Sequence, residues 1–247
     1  MTADQTAALP PPFCLVALDC IDSTNDEARR RADQGAGHGL VVWAGQQTAG
    51  RGRRGRAWVS SPGNLHCSFL LHPGPDAAKA PQLAFVAAVA LVETLKELVP
   101  QAPFACKWPN DILCGGRKIS GMLLETANPW IVLGVGVNIA HAPAPALYPT
   151  TCLRQIGSGA EAGDVLAGFA ERLGHWHEIW VTQGFAPLRD AWLSHAMGVG
   201  GPVTVRLASE VVLEGRFAGL NGDGALLLEE NDGTIRPILA GDVFFSA

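Results

Sequence analysis

Residues 50–58 read Gly-Arg-Gly-Arg-Arg-Gly-Arg-Ala-Trp, a run that combines four arginines with three glycines. We call it the arginine-glycine loop, because so much glycine disfavours both helix and strand. Glycine lets a backbone approach a ligand closely, and arginine presents a rigid fork of donors to carboxylate or phosphate. The run therefore predicts a binding site for an anionic small molecule. A solvated basic loop or a localisation-like patch is the alternative that this run alone leaves open.

The remaining composition surrounds this loop with a mildly acidic globular chain. The 247 residues carry a formal net charge of −5, which argues against the broad basic face of a nucleic-acid binder. Six cysteines without a C-x-x-C pair predict reduced thiols in a cytoplasmic protein. The N-terminus has no signal-peptide pattern, and the apolar run 83–95 is too short to cross a bilayer, so we expect a buried helix and no membrane. His175 and His177 are poorly spaced on a helix to share a metal.

Local patterns predict an α+β fold with a β-rich C-terminal end. Helices are expected at 23–33, 80–98, 161–182 and 184–196, the first opened by Thr24 with Glu27 three residues later. Strands are expected at 13–20, 40–44, 64–71, 103–108, 117–125, 130–138, 203–207, 211–220, 225–229 and 235–239. Tight turns are expected at 114–116 and 221–224. A glycine-proline boundary predicts domains 1–198 and 199–247, the second a small β-barrel.

Further segments carry polar residues suited to a ligand site: STN at 23–25, QT at 47–48, KWPND at 107–111, GRKISG at 116–121 and GVGVN at 134–138. Each alone has a structural alternative. Ser23 and Thr24 could merely cap a helix. Lys107 could form a surface ion pair, and Lys118 could be solvated after a turn. The glycines at 134–136 lack the spacing of a dinucleotide-binding fingerprint.

Together and in this order, these segments resemble the catalytic domain of the biotin protein ligases. The matched segments span most of the first 140 residues, and the pairing of the arginine-glycine loop with KWPND is specific, because related lipoate ligases lack this loop. The resemblance implies a mixed β-sheet catalytic domain of the biotin/lipoate ligase type with a small C-terminal SH3-like β-barrel. Only about twenty residues precede STN, so it also implies a monofunctional ligase without the N-terminal DNA-binding domain and without DNA as a partner.

The resemblance further implies a two-step reaction that uses ATP, Mg²⁺ and biotin. The biotin carboxylate attacks the α-phosphorus of ATP, giving biotinyl-5′-AMP and pyrophosphate. A specific lysine of a biotin carboxyl carrier domain, such as that of acetyl-CoA carboxylase, then attacks the mixed anhydride. Because two anions must meet and charge builds on phosphoryl oxygens, preorganised cations are expected. The alternatives are a lipoate or octanoate ligase or transferase on the same fold, and a non-catalytic biotin-binding regulator.

By the same resemblance, residues are assigned to each ligand. The implied catalytic residues are Arg53, Lys107, Asp111 and Lys118, with Asp111 also the implied metal ligand. The implied biotin contacts are Ser23, Thr24, Asn25, Gln47, Arg51, Gly52, Arg53, Lys118 and Gly121. The implied ATP contacts are Arg53, Trp58, Asn110, Lys118 and Asn138.

Several details stay open at this level. Trp58 is expected to be a lid that excludes water from the acyl-adenylate, with a hinge packed on the core as the alternative. Arg54 and Arg56 receive no role and could be solvated. Gln47 is preferred to Gln46 because the motif then aligns without a gap. The loop over adenine should fall at 141–152, and the chain could be a monomer or a homodimer.

Overall fold

The computed structural model describes residues 7–74, 76–144 and 149–245. The helices are α1 Thr24–Asp33, α2 Leu83–Leu98, α3 Ala162–Gln183 and α4 Phe185–Ser194. The strands are β1 Cys14–Ile21, β2 Leu40–Gln47, β3 Leu65–Leu71, β4 Phe104–Lys107, β5 Asp111–Cys114, β6 Arg117–Ala127, β7 Trp130–Val137, β8 Pro202–Arg206, β9 Val212–Leu220, β10 Leu226–Glu229, β11 Ile235–Ile238 and β12 Asp242–Phe245. The predicted α+β class is confirmed.

The first seven strands form one mixed sheet in the order β1-β2-β3-β7-β6-β5-β4. Only β1 and β2 pair in parallel among these neighbours. Strand β5 is absent from the sequence prediction, which placed only the turn 114–116 directly before the strand at 117–125. After β4 the chain turns and returns as β5, which places Asp111 opposite Lys107. The predicted turn at 114–116 is confirmed, with φ of 55° at Gly115 and 74° at Gly116.

Helix α1 begins one residue away from the predicted cap. Ser23, not Thr24, is the N-cap, and its hydroxyl accepts from the Asp26 amide at 3.4 Å. Thr24 is helical instead, and its buried hydroxyl donates to Gln47 Oε1 at 3.0 Å. The prediction of Thr24 as the capping residue was wrong because this tertiary partner captures its side chain.

Helix α2 packs with α3 and α4 to form the helical layer over the sheet. The segment Ala77–Leu98 is long and apolar enough, by length and composition alone, to cross a membrane. The run 83–95 considered in the sequence is shorter and was not long enough. However, 72% of the most apolar 18-residue window is buried inside the protein. Eleven residues of α2 are buried in the core, among them Phe85 and Leu91. The expectation of a buried core helix is confirmed.

The last five strands form a second, antiparallel sheet in the order β11-β10-β9-β8-β12. Its SH3-like character is as predicted, but the sheet is open: among the described residues, no pairing of β11 with β12 closes a barrel. Strand β12 is absent from the sequence prediction. The predicted turn at 221–224 joins β9 to β10, and Gly224 O accepts a 3.1 Å hydrogen bond from Trp108 Nε1 of the first sheet. This bond links the second sheet to the segment between β4 and β5.

Candidate active site

One pocket gathers every residue that the sequence assigned to a ligand. It lies on the face of the first sheet that the arginine-glycine loop covers, and strand β12 forms part of its wall. The fourteen assigned residues that line it are Ser23, Thr24, Asn25, Gln47, Arg51, Gly52, Arg53, Trp58, Lys107, Asn110, Asp111, Lys118, Gly121 and Asn138. Their individual roles toward ligands stay predictions.

A chain of uncharged side chains occupies the end of the pocket at α1. Gln47 Oε1 accepts from the amide of Thr24 at 2.8 Å and from its hydroxyl at 3.0 Å. Gln47 Nε2 then donates to Ser60 Oγ at 3.0 Å, so the amide group has one fixed orientation. Gln46 is exposed, and Gln47 is the glutamine that lines the pocket.

Ser68 is a member of this network that the sequence reasoning missed. Its fully buried hydroxyl donates to Asn25 Oδ1 at 2.6 Å and lies 2.8 Å from Thr24 Oγ1. Asn25 Nδ2 donates in turn to Glu125 Oε2 at 2.6 Å. Buried polar groups must be paired, so this chain holds the STN side chains rigidly. A serine inside a strand that is otherwise apolar except for His66 was the only available signal.

Each arginine of the arginine-glycine loop has its own contact. Arg51 makes a two-pronged ion pair with Asp26, at 2.6 and 2.7 Å. Arg53 Nη1 donates to the neutral Asn110 Oδ1 at 2.9 Å. Among the ion pairs of the described residues, Arg53 alone of the four has no carboxylate partner. Burial lowers the pKa of Arg53 from its usual value, which reflects the cost of holding an unneutralised cation in the pocket.

Arg54 and Arg56, for which solvation was left open, have a partner in the second sheet. Both contact Asp242, at 2.8 Å from Arg54 and 3.1 Å from Arg56. Both side chains are therefore ion-paired as well as partly solvated, at 31% and 39% exposure. No local pattern could predict this contact, because more than 180 residues separate the partners.

The glycines of GVGVN make room for two side chains above β7. A Cβ on Gly134 would lie 2.3 Å from Asn25 Oδ1, and one on Gly136 would lie 2.3 Å from Trp58 Cζ2. Trp58 therefore rests directly on the sheet, where its Nε1 donates to His66 Nδ1 at 3.3 Å. The ring lines the pocket while it packs on the sheet, so the alternative of a hinge packed on the core also stays open. Its service as a lid stays a prediction.

Two lysines and a carboxylate form the charged end of the pocket. Lys118 Nζ lies 2.7 Å from Asp111 Oδ1, with side-chain exposures of 24% and 14%. This pair excludes the freely solvated alternative for Lys118. Lys107 is only 6% exposed, which excludes a surface ion pair. Its burial lowers the pKa of Lys107 from 10.5 to about 8.

We predict that Lys107 makes stability rise with pH. Below about pH 8 the Lys107 amine is charged in both states, so the folded state carries the full cost of burying that charge. Between about pH 8 and 10.5 the folded-state amine is neutral while the unfolded-state amine still binds a proton, so stability rises with pH. The parent should therefore gain up to about 3 kcal/mol relative to Lys107→Met across this window. Urea unfolding of both proteins from pH 7 to 10 measures the gain, and parallel stability curves would contradict it. The charged groups that act on Lys107 are Asp111, Lys118, Asp242 and Arg56.

Asn138 presents an unused acceptor to the pocket. The residue is 1% exposed, and its Nδ2 donates to Thr151 O at 3.1 Å. Among the described residues, its buried Oδ1 has no hydrogen-bond partner. An unpaired buried acceptor is costly, so a ligand donor would stabilise it. The neighbouring loop predicted over adenine is described only in part, because residues 145–148 lie outside the described residues.

The residues present fit a magnesium ion bound together with a nucleotide. No cluster of three or more metal-binding side chains occurs among the described residues. Asp111 offers a single carboxylate beside the pocket. Magnesium commonly uses one or two carboxylates together with substrate phosphates, which this arrangement allows.

Comparison with protein families finds two matches along the chain. The model of the biotin/lipoate A/B protein ligase family matches residues 17–138, and that of the biotin protein ligase C-terminal domain matches residues 199–246. The fold is thus that of the biotin/lipoate protein ligase class.

Individual relatives narrow this class. The biotin–[acetyl-CoA-carboxylase] ligase of Paracoccus denitrificans is 38% identical, over 91% of this chain and 97% of that protein. The bifunctional ligase/repressor of Bacillus subtilis is 32% identical, over 93% of this chain and 73% of that protein. A biotin protein ligase from Aquifex aeolicus, solved in complex with biotin and ATP, superposes with a TM-score of 0.82 at 29% identity, covering 94% of this chain and 99% of that one. The chain belongs to the biotin protein ligases of this family.

Proposed function

We propose that the protein uses ATP to activate biotin as biotinyl-5′-AMP and then transfers biotin to a lysine of a biotin carboxyl carrier domain. One observation carries this proposal: a single pocket has an uncharged hydrogen-bonding network at one end and the cations Arg53 and Lys118 at the other. The uncharged end suits the neutral ureido ring of biotin, and the charged end suits a carboxylate beside phosphates.

In the first step, the biotin carboxylate attacks the α-phosphorus, and pyrophosphate leaves. Arg53 and Lys118 hold the two anions together and stabilise the charge that builds on the phosphoryl oxygens. Asn110 positions Arg53 through its 2.9 Å hydrogen bond. Asn138, whose Oδ1 has no hydrogen-bond partner among the described residues, is the candidate contact for the adenine amino group. A Mg²⁺ ion held by Asp111 and the nucleotide would neutralise phosphate charge.

In the second step, the carrier lysine attacks the acyl carbon of biotinyl-5′-AMP and AMP leaves. The attacking amine must lose a proton, and Asp111 is the candidate acceptor because it lies in the same pocket as the cations. Lys107 borders the same space and is the candidate for orienting the phosphates. Water must be excluded meanwhile, and the arginine-glycine loop with Trp58 is the candidate cover.

The direct test is labelling of a purified biotin carboxyl carrier domain by this protein with biotin, ATP and Mg²⁺. We expect one biotin on the acceptor lysine, together with biotin-dependent release of pyrophosphate. A carrier domain whose acceptor lysine is replaced by arginine is the matched control. Activity with lipoate or octanoate but not with biotin would overturn the proposal. Biotin binding without pyrophosphate release would favour the non-catalytic regulator.

Arg53→Ala is expected to speed the loss of biotinyl-5′-AMP by about a hundredfold, because one preorganised cation is removed from the ligand. The fold should persist, since Arg53 has no carboxylate partner among the described residues. Release of labelled intermediate from the preloaded enzyme measures the effect. Arg189→Ala is the control, because Arg189 pairs only with its neighbour Asp190 among the described residues. Unchanged retention in Arg53→Ala would contradict the role.

We also propose the cellular and molecular setting. A domain boundary between residues 198 and 199 is supported by the separate sheets on either side. A cytoplasmic location is supported by free thiols at all six cysteines, two of them exposed. The net charge of −5 supports the absence of a DNA partner, which a gel-shift assay at physiological salt tests. Monomer and homodimer both remain predictions, and sedimentation distinguishes them.

A further inference from the structure

The second sheet reaches the arginine-glycine loop through one carboxylate. Asp242 begins the edge strand β12. Its Oδ2 accepts from Arg54 Nη1 at 2.8 Å, and its Oδ1 accepts from Arg56 Nη2 at 3.1 Å. The Asp242 side chain is 16% exposed, and the side chains of Arg54 and Arg56 are 31% and 39% exposed, so one partly shielded carboxylate is shared by two partly exposed arginines.

These two arginines flank the tightest part of the loop. Arg54 has φ of 57° and ψ of 33°, a left-handed conformation that disfavours a residue with a side chain. At the base of the turn, Gly52 N donates to Arg56 O at 2.7 Å. Arg53 lies inside this closed turn, beside Asn110. Because Asp242 restrains the residues at 54 and 56, it also restrains the backbone that carries Arg53.

Strand β12 has further contacts in the pocket. Gly241, Asp242 and Val243 all line it. Phe244 stands two residues beyond Asp242 on the same strand, and its ring centre lies 5.8 Å from Lys107 Nζ. Strand β12 of the second sheet therefore forms part of the wall of the site, so the second sheet does more than pack beside the first.

We propose that Asp242 is a positioning residue for adenylation. By holding Arg54 and Arg56, it keeps the arginine-glycine loop closed over the pocket and keeps Arg53 aimed at the ligand. The C-terminal sheet thereby contributes to catalysis without contacting the reacting atoms. This inference rests on the proposed function, because the ligand retained under the loop is biotinyl-5′-AMP.

The test compares Asp242→Asn, Arg56→Gln and the double variant with the parent. Each enzyme is loaded with labelled biotin and ATP, and the release of biotinyl-5′-AMP is followed after removal of free ligand. Asp242→Asn should release the intermediate about tenfold faster, the effect of roughly one lost charge-assisted hydrogen bond. Its KM for ATP should rise more than its kcat falls. The double variant should be little worse than Asp242→Asn alone, because Asp242→Asn already weakens the ion pair that Arg56→Gln removes. Asp242→Glu should recover part of the retention.

Glu230→Gln is the matched control, because it removes an ion pair with Arg236 at 2.5 Å inside the same sheet. It should retain the intermediate as the parent does. If Asp242→Asn and Arg56→Gln keep parental retention while their melting temperatures fall, Asp242 is only a tether between sheets and the inference is wrong. If Asp242→Asn does not fold, Arg56→Gln decides by the same measurement. If the parent releases no pyrophosphate with biotin, the proposed function fails instead.

Discussion

Lys118→Ala is expected to slow adenylation of biotin by a factor of a hundred or more, about 3 kcal/mol of transition-state stabilisation. Lys118 brings an ammonium group into the pocket beside Asp111, at 2.7 Å from its carboxylate. The reaction joins two anions, so removal of this cation weakens the transition state more than it weakens the fold. Biotin-dependent exchange between pyrophosphate and ATP measures the rate.

The fold should tolerate this change. Both members of the pair are partly exposed, at 24% and 14% for the side chains, and such pairs contribute at most about 1 kcal/mol to stability. Lys118→Arg is the control that keeps the charge and should keep more activity than the alanine variant. An equal loss of activity and thermal stability in Lys118→Ala would indicate a structural role instead.

Trp108→Ala is expected to lower the free energy of unfolding by about 3–5 kcal/mol, the usual cost of deleting a buried indole. Trp108 is 2% exposed, and its Nε1 donates to Gly224 O at 3.1 Å. The change therefore opens a cavity between the two sheets and leaves a carbonyl without its partner. Urea unfolding followed by circular dichroism measures the loss.

Trp108→Phe keeps a six-membered aromatic ring but removes the donor and part of the indole, so about 1–3 kcal/mol should be lost, less than in Trp108→Ala. Comparable stability of Trp108→Ala and the parent would show that the segment between β4 and β5 adapts to the loss. Such a result would also contradict the role of Trp108 in joining the two sheets.

Local features were predictable because their causes act over a few residues. Glycine content identified the loop at 50–58, and positive-φ turns at 114–116 and 221–224 were visible as glycine-rich dipeptides between apolar runs. Long amphipathic or apolar runs predicted α2, α3 and the longer strands. Strands β5 and β12 were missed, although the equally short β4, β10 and β11 were predicted. The cap of α1 was misplaced by one residue because a distant glutamine binds Thr24.

The amino-acid sequence by itself determined the fold class, the family resemblance and the set of residues that meet in one pocket, since motif composition and order record them directly. Only the tertiary structure decided how those residues are held. Ser68 of strand β3 contacts Thr24 and Asn25 of helix α1. Asp242 holds Arg54 and Arg56 from a different sheet. These contacts join residues 44 and 188 positions apart, Ser68 with Thr24 and Asp242 with Arg54. They depend on strand register and on how the sheets pack, and local propensity carries no information at that range.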